Sequence, residues 1–166
     1  MPGLNSAVVT SHLPTLRRYA HRLAGTAADG DDLLQEACEK MLRHLQRVPA
    51  AEIGRAWCYA VLRNCWIDIV RRRKRHFAFA LPLDDDTMGD EAATAGATDL
   101  RFDDIWRHIG RLQPMHREII MLCCIEDLTS DEAATVLDIP AGTVRSRLAR
   151  AKLALADAIG LEVAHA

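Results

Sequence analysis

Leu128-Thr-Ser-Asp-Glu-Ala-Ala-Thr-Val-Leu-Asp-Ile-Pro-Ala-Gly-Thr-Val-Arg-Ser-Arg-Leu-Ala-Arg-Ala151 is the stretch that decides the fold. Thr129 and Glu132 have the spacing of a capping box, in which the threonine oxygen accepts the third helical N–H and the glutamate reaches back to the cap N–H. A short helix then carries Ala133, Ala134, Val136 and Leu137, with the small Ala134 where a second helix must touch it. Asp138-Ile139 makes a tight turn, and aspartate tolerates left-handed backbone there. Pro140 opens a last helix, where a missing N–H costs nothing, and that helix runs to about Ala158. Val144, Leu148, Ala151 and Leu155 recur at i, i+4, i+7 and i+11 as a buried stripe. Thr143, Arg145, Ser146, Arg147, Arg150 and Lys152 are left pointing outward, and no acid occurs from Ala141 through Ala156.

This is a helix-turn-helix pattern with an acid-free outer face, and its chemistry suits duplex DNA. An α-helix fits the major groove, and arginine bonds guanine O6 and N7 in a bidentate pair. Thr143 and the N–H groups at the helix start can hold a phosphate, and Lys152, farther along, suits a backbone contact. The bland alternative is a solvated basic face on a core-packing helix. Cap, turn and acid-free face agree, which favours DNA.

Working outward, residues 101–112 place Phe102, Ile105, Trp106 and Ile109 at helical spacing, and 115–126 read as a helix with Ile119, Ile120, Leu122 and Cys123 inward. Upstream, residues 77–99 carry Asp84-Asp85-Asp86, Asp90 and Glu91 with little apolar content and read as a flexible acidic linker. Before it, a helix is expected over 11–24, stopped at Gly25. A second starts near Asp29 as cap and runs to about Leu45, with Leu33, Leu34, Ala37, Met41 and Leu45 buried. After a loop over Gln46–Gly54, a third runs from about Arg55 to Arg75 with Trp57, Val61, Leu62, Cys65, Ile69 and Val70 as its apolar side. It ends in five consecutive bases, Arg71-Arg72-Arg73-Lys74-Arg75.

The expected fold is therefore all-α: two small helical domains, 1–76 and 100–166, joined by the acidic linker 77–99. The composition agrees, since helix formers dominate the 49% hydrophobic residues and aromatics are only 5%. The formal net charge of −2 averages unlike pieces. Residues 1–76 carry 13 Lys/Arg against 7 Asp/Glu, 77–104 carry 1 against 8, and 105–166 carry 7 against 8, so each block invites a different partner. No signal-peptide pattern and no apolar run of membrane-spanning length appears, so a cytoplasmic protein without membrane insertion is expected. The five cysteines show no metal-ligand spacing and read as small buried hydrophobes. No catalytic residue, cofactor or metal is expected: there is no nucleophile–base pair or phosphate loop, and Asp84–Asp86 sit on a segment without rigid geometry.

Taken together, Asp31-Asp32-Leu-Leu-Gln-Glu36, Arg55-Ala-Trp57, Arg63-Asn64 and Ile67-Asp68-Ile-Val-Arg-Arg-Arg-Lys-Arg75 resemble region 2 of the sigma-70 family. Leu112-Gln-Pro114, Arg117-Glu118, Leu128–Ala134 and Gly142–Ala151 resemble its region 4. The order and the lack of room for further regions are those of the extracytoplasmic-function group, and Leu13–Ala20 is similar to alphaproteobacterial, general-stress-like members. The resemblance implies a factor that directs RNA polymerase to −35 and −10 promoter elements in a stress or environmental response, not an enzyme. It implies that Asp32, Gln35, Glu36 and Glu39 face the β′ clamp coiled coil of core RNA polymerase. It places the −10 element against the 46–54 loop and the outer side of the third helix, with Tyr59, Arg63, Asn64 and Arg71, Arg72, Arg73, Lys74 and Arg75 as DNA-binding residues. Trp57, Tyr59 and Trp66 are the rings that can stack on bases, with core as the alternative; Trp57 is favoured as core and Tyr59 is the better stacking candidate. Thr143, Arg145, Ser146, Arg147, Arg150 and Lys152 become the −35 contacts, and Leu122, Ile125 and Leu128 the candidates for the β flap, with plain core as the alternative for all three. An anti-sigma factor is the implied regulator and a monomer the expected state.

Two other readings compete. A sigma mimic that titrates an anti-sigma factor should have lost its DNA-facing bases, yet Arg71–Arg75 and Arg145, Arg147 and Arg150 are present. A conventional helix-turn-helix repressor explains 129–158 but not the first domain.

Overall fold

The structure is a computed structural model that describes residues 2–45, 47, 53–78 and 100–160. These residues are helical with no strand among them, and they form two compact units, one of three helices and one of four with an added π-helical turn. Of the expected acidic linker 77–99, residues 77 and 78 instead continue the third helix, and residues 79–99, with residues 46 and 48–52 of the loop before that helix, lie outside the described residues.

The first unit is α1 (Pro2–Ala24), α2 (Ala27–His44) and α3 (Arg55–Ala78), each packed on the other two. α1 starts nine residues earlier than its periodicity announces and carries Pro14 in its interior. Buried Val9 anchors this extra length. Gly25, at φ 81°, ends α1, and its N–H donates to the His21 carbonyl at 2.9 Å. The cap of α2 is Thr26 and not Asp29: the threonine oxygen accepts the Asp29 N–H at 3.1 Å. Asp29 thus sits in the first turn, where a carboxylate still suits the helix dipole. α1 and α2 touch at Gly30, where a Cβ would stand 2.7 Å from the Cα of His21, so no side chain fits.

Leu16, Tyr19 and Ala20 of α1, Leu33, Ala37 and Met41 of α2, and Cys58, Tyr59, Leu62 and Cys65 of α3 are the buried core. Tyr19 and Tyr59 stack tilted, with centroids 5.1 Å apart at 47°. This turns α3 relative to expectation, because α1 covers the Tyr59 side while Trp57, Val61, Ile69 and Val70 are only half-buried. Burial pushes the Cys58 thiol up to about 11 and raises Cys38 and Cys65 as well. Few thiolates at neutral pH means little nucleophilic reactivity.

The second unit is α4 (Leu100–Arg111), α5 (Pro114–Ile120), a π-helical turn at Met121–Ile125, α6 (Ser130–Leu137) and α7 (Ala141–Ala158). Its core joins Ile109, Leu112, Ile120 and Ala151, with Trp106, Ile125, Leu148, Ala154 and Leu155 packed against it. The helix expected over 115–126 changes pitch partway: the Glu126 N–H donates to Met121 O, five residues back, at 2.9 Å. A π turn holds one extra residue and rotates the residues after it. Cys123 is accordingly half-buried and Cys124 exposed, while Met121 and Leu122 take the inward positions.

Candidate nucleic-acid interface

α6 and α7 form the helix-turn-helix. Both bonds of the capping box are present: Glu132 N donates to Thr129 Oγ1 at 3.2 Å, and Thr129 N donates to Glu132 Oε2 at 2.8 Å. Asp138 closes α6 in left-handed backbone, φ 54° and ψ 48°, as its short polar side chain permits. The Ile139 N–H reaches back to Ala134 O at 3.2 Å, which folds the turn tightly on the small residue of α6. Pro140 is the cap of α7 and not its first helical residue, with no side chain capping that end. Gly142 leaves the start of α7 open, a Cβ there meeting only the Arg145 guanidinium at 4.0 Å.

Val144 and Ala151 are fully buried, and Leu148 and Leu155 are half-buried beside them. That orients α7 so that Arg145, Ser146, Arg150 and Lys152 are exposed and Thr143 is half-buried at the helix start. Arg147 departs from expectation. It lies on the flank of α7, half-buried, with Nη1 directed at Sδ of Met115 in α5. Among the described residues no carboxylate forms an ion pair with any of these four bases. The expected β-flap candidates Leu122 and Leu128 are core residues, at 0% and 4% exposure, and the inward position that periodicity gives Leu122 is the one it takes. Only Ile125 of that set is half-buried. Among the described residues, the large apolar side chains that the second unit exposes are instead Ile105, Met115 and Leu153.

On the first unit, Asn64, Arg71, Arg72, Arg73, Lys74 and Arg75 are exposed along α3, and Arg63 is half-buried. Tyr59, expected as a ring free for base stacking, is 1% exposed and belongs to the core. The ring that shares the outer face is half-buried Trp57, since Trp57, Asn64, Arg71 and Arg75 fall at i, i+7, i+14 and i+18, within a narrow arc at 3.6 residues per turn. That spacing is legible in the sequence, but hydrophobicity alone assigns Trp57 to the core. Trp66 is half-buried, with the Arg73 guanidinium 6.0 Å from its ring centroid.

The expected polymerase face of α2 places Asp32, Gln35, Glu36 and Glu39 on one side of the helix, Glu36 half-buried and the others exposed. Gln35 Nε2 donates to Glu39 Oε1 at 3.4 Å. Leu42, 56% exposed, extends this face by one turn; sequence reasoning misses it because a lone leucine in an amphipathic helix reads as core. The acidic face and the basic end of α3 are not independent. Arg72 Nη2 donates to both oxygens of Glu36, at 3.1 and 3.2 Å, and Arg73 to Asp29 at 3.1 Å. Lys40 bridges Glu36 at 3.3 Å and Asp68 at 3.5 Å. Nearby, Asp31 accepts from Arg17 at 2.8 and 3.0 Å and contacts His21 at 2.8 Å; the guanidinium and the imidazole hold its carboxyl far below the usual carboxylate range. Among the described residues there is no group of side chains suited to a metal ion, and no helix is long and apolar enough to cross a membrane.

Comparison with known proteins agrees with this geometry. The family model for sigma-70 region 2 matches residues 8–76, and that for sigma-70 region 4 matches residues 102–155. The chain is 33% identical over 153 residues to the ECF RNA polymerase sigma factor SigE of Mycolicibacterium smegmatis, covering 90% of this chain and 59% of that one. It is 32% identical over 156 residues to the ECF sigma factor SigL of Mycobacterium tuberculosis, covering 92% and 87%. The fold is that of the sigma factor RpoE of Bartonella quintana, solved with the anti-sigma factor NepR, at TM-score 0.72 and 24% identity over 93% of this chain and 96% of that one. The chain belongs to the extracytoplasmic-function sigma factors of the sigma-70 family.

Proposed function

We propose that this chain docks on core RNA polymerase through α2 and reads promoter DNA with two helices, α3 at the −10 element and α7 at the −35 element. The observation that carries this reading is the acid-free face of α7, held outward by a fully formed capping box and a buried Val144–Ala151 stripe. In that role Arg145 and Ser146 read base edges, while Thr143, Arg147, Arg150 and Lys152 hold phosphates. On α3, Trp57 stacks on an unpaired base beside Asn64, and Arg71, Lys74 and Arg75 contact the backbone. Extruding a base costs a few kcal/mol, which these contacts offset. Asp32, Gln35, Glu39 and Leu42 meet the β′ clamp helices, and the apolar side chains of the second unit meet the β flap. The factor acts in the cytoplasm as a monomer, in a stress or environmental response, and an anti-sigma factor masks it. NepR, seen on a neighbour of the same fold, supports that last point.

The test is in vitro transcription from genomic promoter fragments by core polymerase with and without this protein. Discrete new start sites, weakened by Arg145→Ala, are the expected result. A soluble, folded protein that neither binds core nor yields transcripts overturns the proposal.

A further inference from the structure

Arg147 stands apart from the other bases of α7. Its guanidinium is directed at the thioether of Met115, the second residue of α5, whereas Arg145 and Arg150 extend into solvent. Met115 is 45% exposed, while Met41 is fully buried and Met121 is 6% exposed. Among the described residues, then, one methionine is open to solvent, and it is the one that touches the candidate DNA-reading helix.

We propose that Met115 is an oxidation site, with a hydroperoxide as oxidant, that sets whether Arg147 is available to DNA. The inference rests on the reading of α7 as the DNA-contacting helix. The sulfur lone pair attacks one peroxide oxygen; an S–O bond forms, the O–O bond breaks, and sulfur is oxidised by two electrons to the sulfoxide. The second oxygen leaves as water (hydroperoxide other than hydrogen peroxide leaves the alcohol), taking the proton of the oxygen that is transferred. A thioether is a weak acceptor. A sulfoxide oxygen is a strong one, and its bond to a guanidinium is charge-assisted. Oxidation therefore replaces a weak acceptor beside Arg147 with a strong one, holds Arg147 against α5 and removes it from the phosphate it would otherwise meet. Reduction of the sulfoxide by a methionine sulfoxide reductase returns it.

The test treats the full chain with hydrogen peroxide, removes the oxidant and restores the thiols with dithiothreitol, which leaves sulfoxides in place. Peptide mass spectrometry then establishes that Met115 has gained one oxygen, and the factor is assembled with core polymerase for binding to a promoter duplex over a range of salt. The expected result is roughly tenfold weaker binding and a salt dependence smaller by about one phosphate contact. Met115→Leu holds its affinity through the same treatment, Arg147→Ala is weak beforehand and does not weaken further, and the reductase restores the wild-type chain. Met115 that resists oxidation, a fully converted Met115 with unchanged affinity, or an equal loss in Met115→Leu overturns the oxidation site. In those cases a weakened Arg147→Ala leaves the reading of α7 standing. If untreated Arg147→Ala binds as tightly as wild type, the assignment of Arg147 to DNA fails and the oxidation site fails with it.

Discussion

The basic end of α3 and the basic face of α7 are both rich in arginine, yet their surroundings are opposite. On α3, Arg72 is held by both oxygens of Glu36, and Arg73 lies between Asp29 and the Trp66 ring. On α7, among the described residues, no carboxylate ion-pairs with Arg145, Arg147, Arg150 or Lys152. The first set of charges ties two helices of one unit together and meets any polyanion in competition with its own acids. The second set meets an approaching polyanion with no carboxylate of the described residues competing for it. A run of like charges in a sequence therefore reports a capacity for anion contact, and the neighbouring helix decides how much of that capacity is already engaged.

That contrast can be broken or sharpened by substitution. The largest effect is expected at the rings of α3. Tyr59→Ala should destabilise the first unit by about 3–5 kcal/mol, the range for emptying a buried aromatic site, whereas Trp57→Ala should leave stability far less changed and impair promoter opening. Urea denaturation followed by circular dichroism, beside a promoter-melting assay, separates the two; similar loss of stability in both would return Trp57 to the core. Next, Arg145→Ala should cost about 1–3 kcal/mol of promoter affinity, concentrated at one −35 position. A loss spread evenly over all promoter sequences would make Arg145 a phosphate contact instead.

A smaller change is expected at the capping box. Thr129→Ala should destabilise the second unit by about 1 kcal/mol, read from its denaturation midpoint, and leave the first unit unchanged. The smallest belongs to the paired arginines. Arg72→Ala should alter stability by only about 0–1 kcal/mol, because the Glu36 pair is half-open to water and screened by salt. Glu36→Gln should free Arg72 and steepen the salt dependence of DNA binding by the factor. If Arg72→Ala weakened DNA binding as much as Arg145→Ala does, the distinction between engaged and open bases would collapse.

Most of the fold was legible from local rules. The Thr129–Glu132 box, the left-handed Asp138, the stop at Gly25 and the Val144–Ala151 stripe all stand where backbone chemistry and 3.6-residue periodicity put them. These features depend on residues within a few positions of one another. The misreadings share the opposite property. Tyr59 is buried because Tyr19, forty residues away, packs on it. Cys123, expected inward, is only half-buried because a π turn shifts the residues around it, and hydrophobicity patterns carry no mark of a pitch change. Pro2–Thr10 is helical although its own sequence is a poor helix former.

By itself, then, the sequence determined the helix-turn-helix, the separation of basic and acidic blocks, and the motif order of a small sigma factor, since each depends on spacing along one chain. Tertiary structure alone decided which ring on α3 faces outward, which arginines are engaged by α2, and that Arg147 rests on Met115 while Arg145 stands clear. Those outcomes depend on which helix packs beside which, and a pairwise contact between distant residues leaves no periodic trace in either partner's own segment.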